Sequence, residues 1–324
     1  MRLLSGMRPT GRLHIGHLVG ALGNWLSLQE EYECFFMAAD WHALTTAYAD
    51  TSELPKNIME MALDWRALGI DFSRSTVFVQ SDVKEHAELY LLLGMITPMP
   101  WLERDPTLKN MIEDMHLHGV NYGLMGYPVL QAADITLYKA GAVPVGVDQV
   151  PHIELAREIA RAFNHRYKQV FPEPKALLTQ TPKLPGTDGR KMSKSLNNAI
   201  FLDETPETMR PKVMQLITDP KKIHATDPGD PDICSVQDYH KAFGPNDAPF
   251  ADEDCRKGLL GCVKHKSYLA EILSTYLAPF REKRALLAGR EEETREMLKA
   301  GAETARKVAA ATMEEVRDAI NLSF

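Results

Sequence analysis

The sequence has few cysteines, no long apolar run and no excess of basic charge. Its 324 residues include only four cysteines, too few for a disulfide scaffold, which indicates a reducing compartment. No stretch approaches the roughly 20 apolar residues of a membrane span, and the first residues lack the apolar core of a signal peptide. The formal net charge of -7 argues against a generic nucleic-acid coating protein. These absences predict a cytoplasmic enzyme with no membrane partner.

The order of apolar segments predicts an α/β domain followed by a helical one. Short apolar runs at 3–5, 34–39, 76–79 and 141–147 read as strands. Helical patterns separate them, beginning near residue 16 and covering 55–68, 87–95 and 151–163. This alternation is typical of a mainly parallel sheet. We expect domains at 1–196 and 197–324, with no strand after Thr205 and a last helix that is a candidate to pack back on the first domain.

The tetrapeptide His14-Ile15-Gly16-His17 stands where a loop enters a helix. The two histidines are three residues apart and share a helical face. Unpaired N–H groups at a helix start attract phosphate, and imidazoles beside them can donate hydrogen bonds to a phosphoryl transition state. Taken alone, the tetrapeptide could also arise by chance.

A second basic segment, Lys191-Met192-Ser193-Lys194-Ser195, lies in a loop rich in proline and glycine. Residues 183–195 contain four basic side chains against one acidic one. Two lysines and two hydroxyls within five residues suit a clamp on a polyphosphate. The alternative is an ordinary solvated loop.

The two motifs together resemble the signatures of class I aminoacyl-tRNA synthetases, and within them those of the bacterial tryptophanyl branch. Further resemblance lies in residues 5–11, 39–43, 131–134, 145–149 and 152–155. It implies a Rossmann-like, doubly wound catalytic domain and a helical anticodon-binding domain. The tyrosyl branch shares the signatures but matches the linking segments less well.

The resemblance implies an ATP site with Mg²⁺ at the carboxyl ends of the strands. It gives catalytic roles to His14, His17, Lys191 and Lys194. It places further ATP contacts at Arg8, Pro9, Thr10, Gly16, Gly146, Val147, Asp148, Met192, Ser193 and Ser195. Asp148 would accept from a ribose hydroxyl, although it could instead cap the following helix. Val147 departs from the glutamate often found there.

The same resemblance implies a tryptophan site in which Asp134 accepts the indole N–H. A required hydrogen bond rejects tyrosine and phenylalanine better than an apolar slot does. The other implied contacts are Leu4, His42, Tyr127, Gln131 and Gln149. Gln131 stands where many members carry methionine. The alternative for Asp134 is an exposed position on a helix with no functional role.

In the family, tryptophan reacts with ATP to give tryptophanyl-adenylate and pyrophosphate. The 2′-hydroxyl of the terminal adenosine of tRNA(Trp) then takes the amino acid. The resemblance also implies a homodimer. The alternatives are a tyrosyl-tRNA synthetase, an ATP-dependent nucleotidyltransferase that uses no tRNA, and an amino-acid sensor.

Three cysteines and a histidine form another candidate site. Cys234, Cys255, Cys262 and His265 follow the spacing C-x20-C-x6-C-x2-H. This resembles the four-cysteine pattern that holds a [4Fe–4S] cluster in some bacterial members, with a shorter first gap and histidine last. The set also suits Zn²⁺, and without metal these are small buried residues.

The residues around this candidate metal site are basic. Residues 256–290 contain eight basic residues against two acidic ones. Such a surface suits tRNA phosphates, or it is an ordinary solvated face.

Overall fold

The computed structural model forms two compact units. The described residues are 1–106, 108–109, 112, 120–178, 184–194 and 196–323. The first unit comprises Met1–Gly11, Asn24–Gln180 and Gly289–Phe324, and the second comprises Arg12–Gly23 and Thr181–Ala288. Each unit therefore joins segments that are distant in the sequence. The proposed domains 1–196 and 197–324 are a different, linear division and stay a prediction.

A parallel sheet of five strands organises the described part of the first unit. The strands are β1 (Arg2–Met7), β2 (Glu33–Ala38), β3 (Thr76–Val79), β4 (Ala142–Val145) and β5 (Lys175–Leu178). Their order is β3-β2-β1-β4-β5, and Leu3 pairs with Cys34 in the parallel register. In β2 every residue after Glu33 is buried, as expected of a parallel strand covered on both faces. The predicted α/β class with a parallel sheet is confirmed.

Helices connect the strands and begin and end at the signals expected from the sequence. The helix Leu54–Leu68 has Pro55 in its first turn and ends at Gly69, whose φ of 107° suits glycine. The other described helices of this unit are Gly23–Glu31, Asp40–Ala47, Glu85–Gly94, Met99–Glu103, Tyr122–Met125, Tyr127–Leu137, Val150–Arg166 and Glu291–Ala319.

Two strand predictions differ from the structure. The strand expected at 141–147 ends at Val145, because residues Val147–Gln149 form a short 3-10 helix. The strand β5 was not predicted. Its sequence, Lys-Ala-Leu-Leu, has no β-branched residue, and it lies at the edge of the sheet where it pairs only with β4.

The helix Glu291–Ala319 packs on the sheet of the first unit. It contacts β3 and the helices Leu54–Leu68 and Glu85–Gly94. Its buried face joins the apolar core through Ala302, Ala305, Ala309, Met313 and Val316. At Gly301 the helix lies so close to β3 that an added Cβ would sit 1.9 Å from the Val77 carbonyl oxygen.

The second unit is helical in its described part. Its longer helices are Pro206–Gln215, Ser235–Phe243, Ala248–Arg256 and Cys262–Leu286. The expectation that no strand follows Thr205 is confirmed for the residues described there. Two backbone hydrogen bonds join its separate segments, from Ile15 to the Ile200 carbonyl and from Leu202 to the Leu13 carbonyl, each 3.0 Å long. No described helix is both long and apolar enough to cross a membrane.

Candidate active site

The strand order places two predicted substrate loops at one edge of the sheet. The chain runs outward from β1 to β3 and then crosses to β4, so the order reverses between β1 and β4. Ligands bind at the carboxyl ends of strands at such a point. Arg8, Pro9 and Thr10 directly follow β1, and residues 146–149 directly follow β4.

The loop after β4 leaves room for an exposed carboxylate. A Cβ at Gly146 would lie 2.8 Å from Asp148 Oδ1, which explains the glycine. Gln149 donates from Nε2 to Asp148 Oδ2 at 3.3 Å. The following helix, Val150–Arg166, has Gln149 rather than Asp148 at its N-cap position. Val147 and Asp148 are both exposed.

The two histidines of the first motif stack at a helix start in the second unit. Their ring centroids are 3.6 Å apart, with an angle of 21° between the planes. The backbone N–H of His14 donates to His17 Nδ1 at 3.1 Å. A Cβ at Gly16 would lie 3.0 Å from His14 Nδ1 and 3.4 Å from Met192 Sδ. Glycine is therefore required for the stack and for the close approach of the second motif.

Both imidazoles are neutral at physiological pH. Burial, and then the positive charge of Lys194, lower the pKa of His14 to about 4. Burial, His14 and Lys194 lower the pKa of His17 to about 3. Because His17 Nδ1 accepts a backbone N–H, its proton is on Nε2, and this nitrogen can donate to a phosphate oxygen. The structure thus brings the two signature motifs together within one unit.

The second motif is held by a buried asparagine that the sequence analysis missed. Asn198 Oδ1 accepts from the Ser193 N–H at 2.8 Å. Its Nδ2 donates to Asp188 Oδ1 at 2.7 Å and to the Lys191 carbonyl at 3.1 Å. A Cβ at Gly186 would lie 2.3 Å from Asn198 Nδ2, so this glycine makes room for the amide. Ser195, a predicted ATP contact, lies outside the described residues.

Asp134 is a buried carboxylate at the centre of a hydrogen-bond network in the first unit. Its Oδ2 lies 2.7 Å from His42 Nε2, and its Oδ1 lies 2.6 Å from His86 Nδ1. Gln80 Nε2 donates to the same Oδ1 at 2.8 Å. The side chain is 2% exposed, so the alternative of an exposed helix position is wrong. Gln80 and His86 were not predicted from the sequence.

This network keeps Asp134 ionised. Desolvation alone would raise its pKa, but the charges and hydrogen bonds of His86 and His42 outweigh burial and lower the pKa to about 2. A carboxylate in this state accepts hydrogen bonds only. It is therefore chemically suited to an indole N–H, although both of its oxygens already have protein partners. The indole contact stays a prediction.

Three other predicted tryptophan contacts lie in the same unit. Leu4 is buried in the core on β1, and Gln131 is half-buried one turn before Asp134. Gln131 Oε1 has no hydrogen-bond partner among the described residues. Tyr127 begins the helix that carries Asp134, and its ring meets that of His42 edge-on, with centroids 5.3 Å apart.

The predicted metal site receives no support. Among the described residues, which include all four candidates, no three His, Cys, Asp or Glu side chains are arranged to hold a metal ion. His265 Nε2 instead lies 2.9 Å from His240 Nδ1. Burial raises the pKa of the Cys234 and Cys255 thiols, and the neighbouring Cys262 raises both further. The iron–sulfur and zinc predictions for Cys234, Cys255, Cys262 and His265 are therefore not supported by the structure, and they stay predictions. Cys34 is buried in β2, as predicted.

Known proteins resemble this chain over its whole length. A tryptophan–tRNA ligase from Thermotoga maritima is 50% identical over 328 residues that cover all of both chains. One from Aquifex aeolicus is 47% identical and covers 99% of this chain and all of its own. The crystal structure of tryptophanyl-tRNA synthetase from Campylobacter jejuni complexed with ADP and tryptophan has a TM-score of 0.87 and 36% identity. It covers 99% of this chain and all of the Campylobacter chain.

A family model covers most of the chain as well. The model described as tRNA synthetases class I (W and Y) matches residues 1–278, which include both signature motifs and the Asp134 network. The family match and the full-length relatives are consistent with the parallel sheet and with the two signature motifs. This chain belongs to the class I tRNA synthetases of the tryptophanyl and tyrosyl (W and Y) family.

Proposed function

We propose that this chain is a tryptophan–tRNA ligase. The observation that carries the proposal is the close approach of Met192 in the second signature to Gly16, between the stacked His14 and His17. That arrangement places neutral imidazole donors beside Lys194, the chemistry that a transferring phosphoryl group requires. Full-length relatives named tryptophan–tRNA ligase support tryptophan over tyrosine as the amino acid.

The first step joins tryptophan to AMP. The carboxylate of tryptophan attacks the α-phosphorus of ATP in line, and pyrophosphate leaves. In this proposal Lys191 and Lys194 neutralise the β- and γ-phosphates, and His17 donates from Nε2 to a phosphate oxygen. Mg²⁺ bound to ATP spreads the developing charge further. Positioning and charge neutralisation carry the catalysis, so no protein nucleophile is needed.

The second step transfers tryptophan to tRNA(Trp). The 2′-hydroxyl of the terminal adenosine attacks the acyl-adenylate, and AMP leaves. The basic segment 256–290 is the proposed tRNA surface. Two of its basic side chains are already paired, Arg256 with Asp252 and Lys257 with Glu253, so exposed Lys264 and Lys283 are better candidates for phosphate contacts. We further propose a homodimer that works in the cytoplasm.

Amino-acid-dependent pyrophosphate exchange tests the proposal. We expect exchange of labelled pyrophosphate into ATP with tryptophan and not with tyrosine, followed by charging of tRNA(Trp). Stimulation by tyrosine alone would assign the tyrosyl reaction instead. Adenylate formation without charging of any tRNA would favour a nucleotidyltransferase, and binding without exchange would favour a sensor.

A metal at Cys234, Cys255, Cys262 and His265, a [4Fe–4S] cluster before Zn²⁺, stays a prediction, since no group of three ligands arranged for a metal ion is found among the described residues. Anaerobic purification followed by elemental analysis tests this prediction, and a colourless, iron-free sample would remove the cluster. About four iron atoms per chain, with visible absorption, would support the cluster over zinc.

A further inference from the structure

Tyr127 is the first member of a chain of three hydrogen-bonded side chains. Its hydroxyl oxygen lies 2.6 Å from His152 Nε2, and His152 Nδ1 lies 2.8 Å from Asp105 Oδ2. His152 and Asp105 are 1% and 5% exposed, whereas Tyr127 is half-buried. The two inner residues are therefore shielded from solvent, and the tyrosine can meet a ligand. Neither His152 nor Asp105 is among the predicted site residues.

The protonation states of Tyr127, His152 and Asp105, called the Tyr127 row below, set the direction of each hydrogen bond. An ionised carboxylate can only accept, so His152 must carry its proton on Nδ1 and donate to Asp105. When the imidazole is neutral, His152 Nε2 is an acceptor and the Tyr127 O–H donates to it, which is the state that the proposal below requires. Burial raises the pKa of Tyr127, so the hydroxyl keeps its proton. Once its proton is donated to His152, the Tyr127 oxygen has two lone pairs left, and it can only accept hydrogen bonds from a ligand.

We propose that His152 and Asp105 are positioning residues that turn the Tyr127 hydroxyl into a dedicated acceptor for the ammonium group of the amino-acid substrate. The inference rests on the proposed function and deepens it. An ammonium group has three donors and no lone pair, so it matches an oxygen whose own proton is committed elsewhere. Without His152, the Tyr127 hydroxyl can rotate so that its proton points toward the ammonium group and repels that group. The row therefore selects amino acids over the corresponding deaminated acids.

The test measures binding of two ligands to the full chain by calorimetry. Tryptophan carries the ammonium, and indole-3-propionate keeps the indole and carboxylate without it. For His152→Ala we expect the tryptophan affinity to fall about 10- to 100-fold, the range for a hydrogen bond to a charged group. The affinity for indole-3-propionate should stay within about twofold of wild type.

Two further variants separate positioning from a loss of structure. Asp105→Asn keeps the volume of the side chain and removes its charge. Its Oδ1 can still accept from His152 Nδ1, so we expect a selective loss of tryptophan affinity that is smaller than in His152→Ala. Tyr127→Phe removes the acceptor, so adding His152→Ala to it should cause no further loss of tryptophan affinity. His240→Ala is the matched control, because it deletes another fully buried histidine, in the second unit, and should leave both affinities unchanged.

Equal losses for both ligands in His152→Ala and Asp105→Asn would show a structural role and overturn the inference. So would unchanged tryptophan binding, or additive losses in the double variant with Tyr127→Phe. A wild-type chain that binds no tryptophan would overturn the proposed function itself. That result is distinguishable, because it appears before any substitution is made.

Discussion

Asp134 and His17 show how single residues acquire their chemistry from neighbours distant in the sequence. Asp134 is ionised although buried, because His42, His86 and Gln80 surround its two oxygens. His17 is neutral because it is buried beside His14 and Lys194. In both cases the residue type permits two protonation states, and the surroundings select one.

At the residue scale, Asp134 should link stability to pH. Its folded pKa of about 2 lies below the ordinary value of 3.8. The carboxylate therefore stabilises the folded state above about pH 4, and this contribution is lost as the pH falls toward 2. We expect wild type to lose about 2 kcal/mol more stability across this range than Asp134→Asn. Denaturant unfolding at several pH values measures the difference, with exposed Asp82→Asn as a control that behaves like wild type. Parallel curves for Asp134→Asn and wild type would contradict the prediction.

The second residue-scale prediction concerns Gly16. In Gly16→Ala the new Cβ would press on His14 Nδ1 and Met192 Sδ, which disturbs the imidazole stack. We expect kcat for pyrophosphate exchange to fall about 10-fold or more, because phosphoryl transfer depends on positioning.

Gly20→Ala is the matched control for this substitution. It makes the same change one helical turn later, where the added Cβ meets no described atom within 4 Å. Equal activity of the two variants would show that the stack does not matter for exchange.

At the scale of elements, the loop of the second motif is ordered without regular secondary structure. Asn198 replaces the missing backbone pairing by bonding Ser193, Asp188 and the Lys191 carbonyl. Asn164 plays a similar part in the first unit, where its Oδ1 accepts from Val170 and Phe171 and its Nδ2 donates to the Phe171 carbonyl. Only the first of these loops carries the proposed phosphate ligands.

Asn198 and Asn164 together provide a prediction with a matched control. Asn198→Ala should lower kcat for pyrophosphate exchange about 10- to 100-fold, because Lys191 and Lys194 lose their fixed backbone. Asn164→Ala removes a comparable set of hydrogen bonds and should lower the unfolding free energy without this loss of kcat. If both variants reduce exchange equally, the Asn198 effect is one of general stability.

At the scale of the whole molecule, the chain leaves the first unit near residue 180 and returns to it at Gly289. The returning helix Glu291–Ala319 supplies part of the core around β3. Ion pairs from Arg66 to Glu293 and from Arg317 to Glu88 reinforce the contact. The core of the first unit therefore depends on the helix Glu291–Ala319.

The close approach at Gly301 makes this dependence testable. In Gly301→Ala the Cβ would meet the Val77 carbonyl oxygen at 1.9 Å, and strand backbone cannot yield as a side chain can. We expect a loss of unfolding free energy of about 3 kcal/mol or more. Gly94→Ala is the control, since its Cβ meets no described atom within 4 Å, and the helix should change by about 1 kcal/mol or less. Equal stability of the two variants would contradict the packing described here.

Regular periodicity made much of the fold predictable, whereas contacts between distant residues did not follow from it. The strands β1 to β4 were readable because their apolar runs are short and bounded by turns. The edge strand β5 was not, because its sequence lacks β-branched residues and only pairing with β4 defines it. Among the site residues, the two signature motifs were readable as contiguous peptides. Asn198, His86 and His152 were not, because their roles depend on partners that only the fold supplies.

The cysteine group is the opposite case, in which spacing suggested more than the structure supports. The interval C-x20-C-x6-C-x2-H resembles a ligand set, yet no group of three ligands arranged for a metal ion is found among the described residues, and His265 lies beside His240. Spacing limits how far apart ligands can lie but does not orient them. Coordination requires both distance and direction.

By itself the sequence determined the α/β class and the family, because apolar periodicity and contiguous motifs are local properties of the chain. The tertiary structure alone decided which groups are charged and which way their hydrogen bonds run. It buried His14 and His17 beside Lys194, which lowers the pKa of both imidazoles, and it brought the Tyr127 hydroxyl next to His152. The physical reason is that protonation depends on burial and on charges brought together from distant parts of the chain.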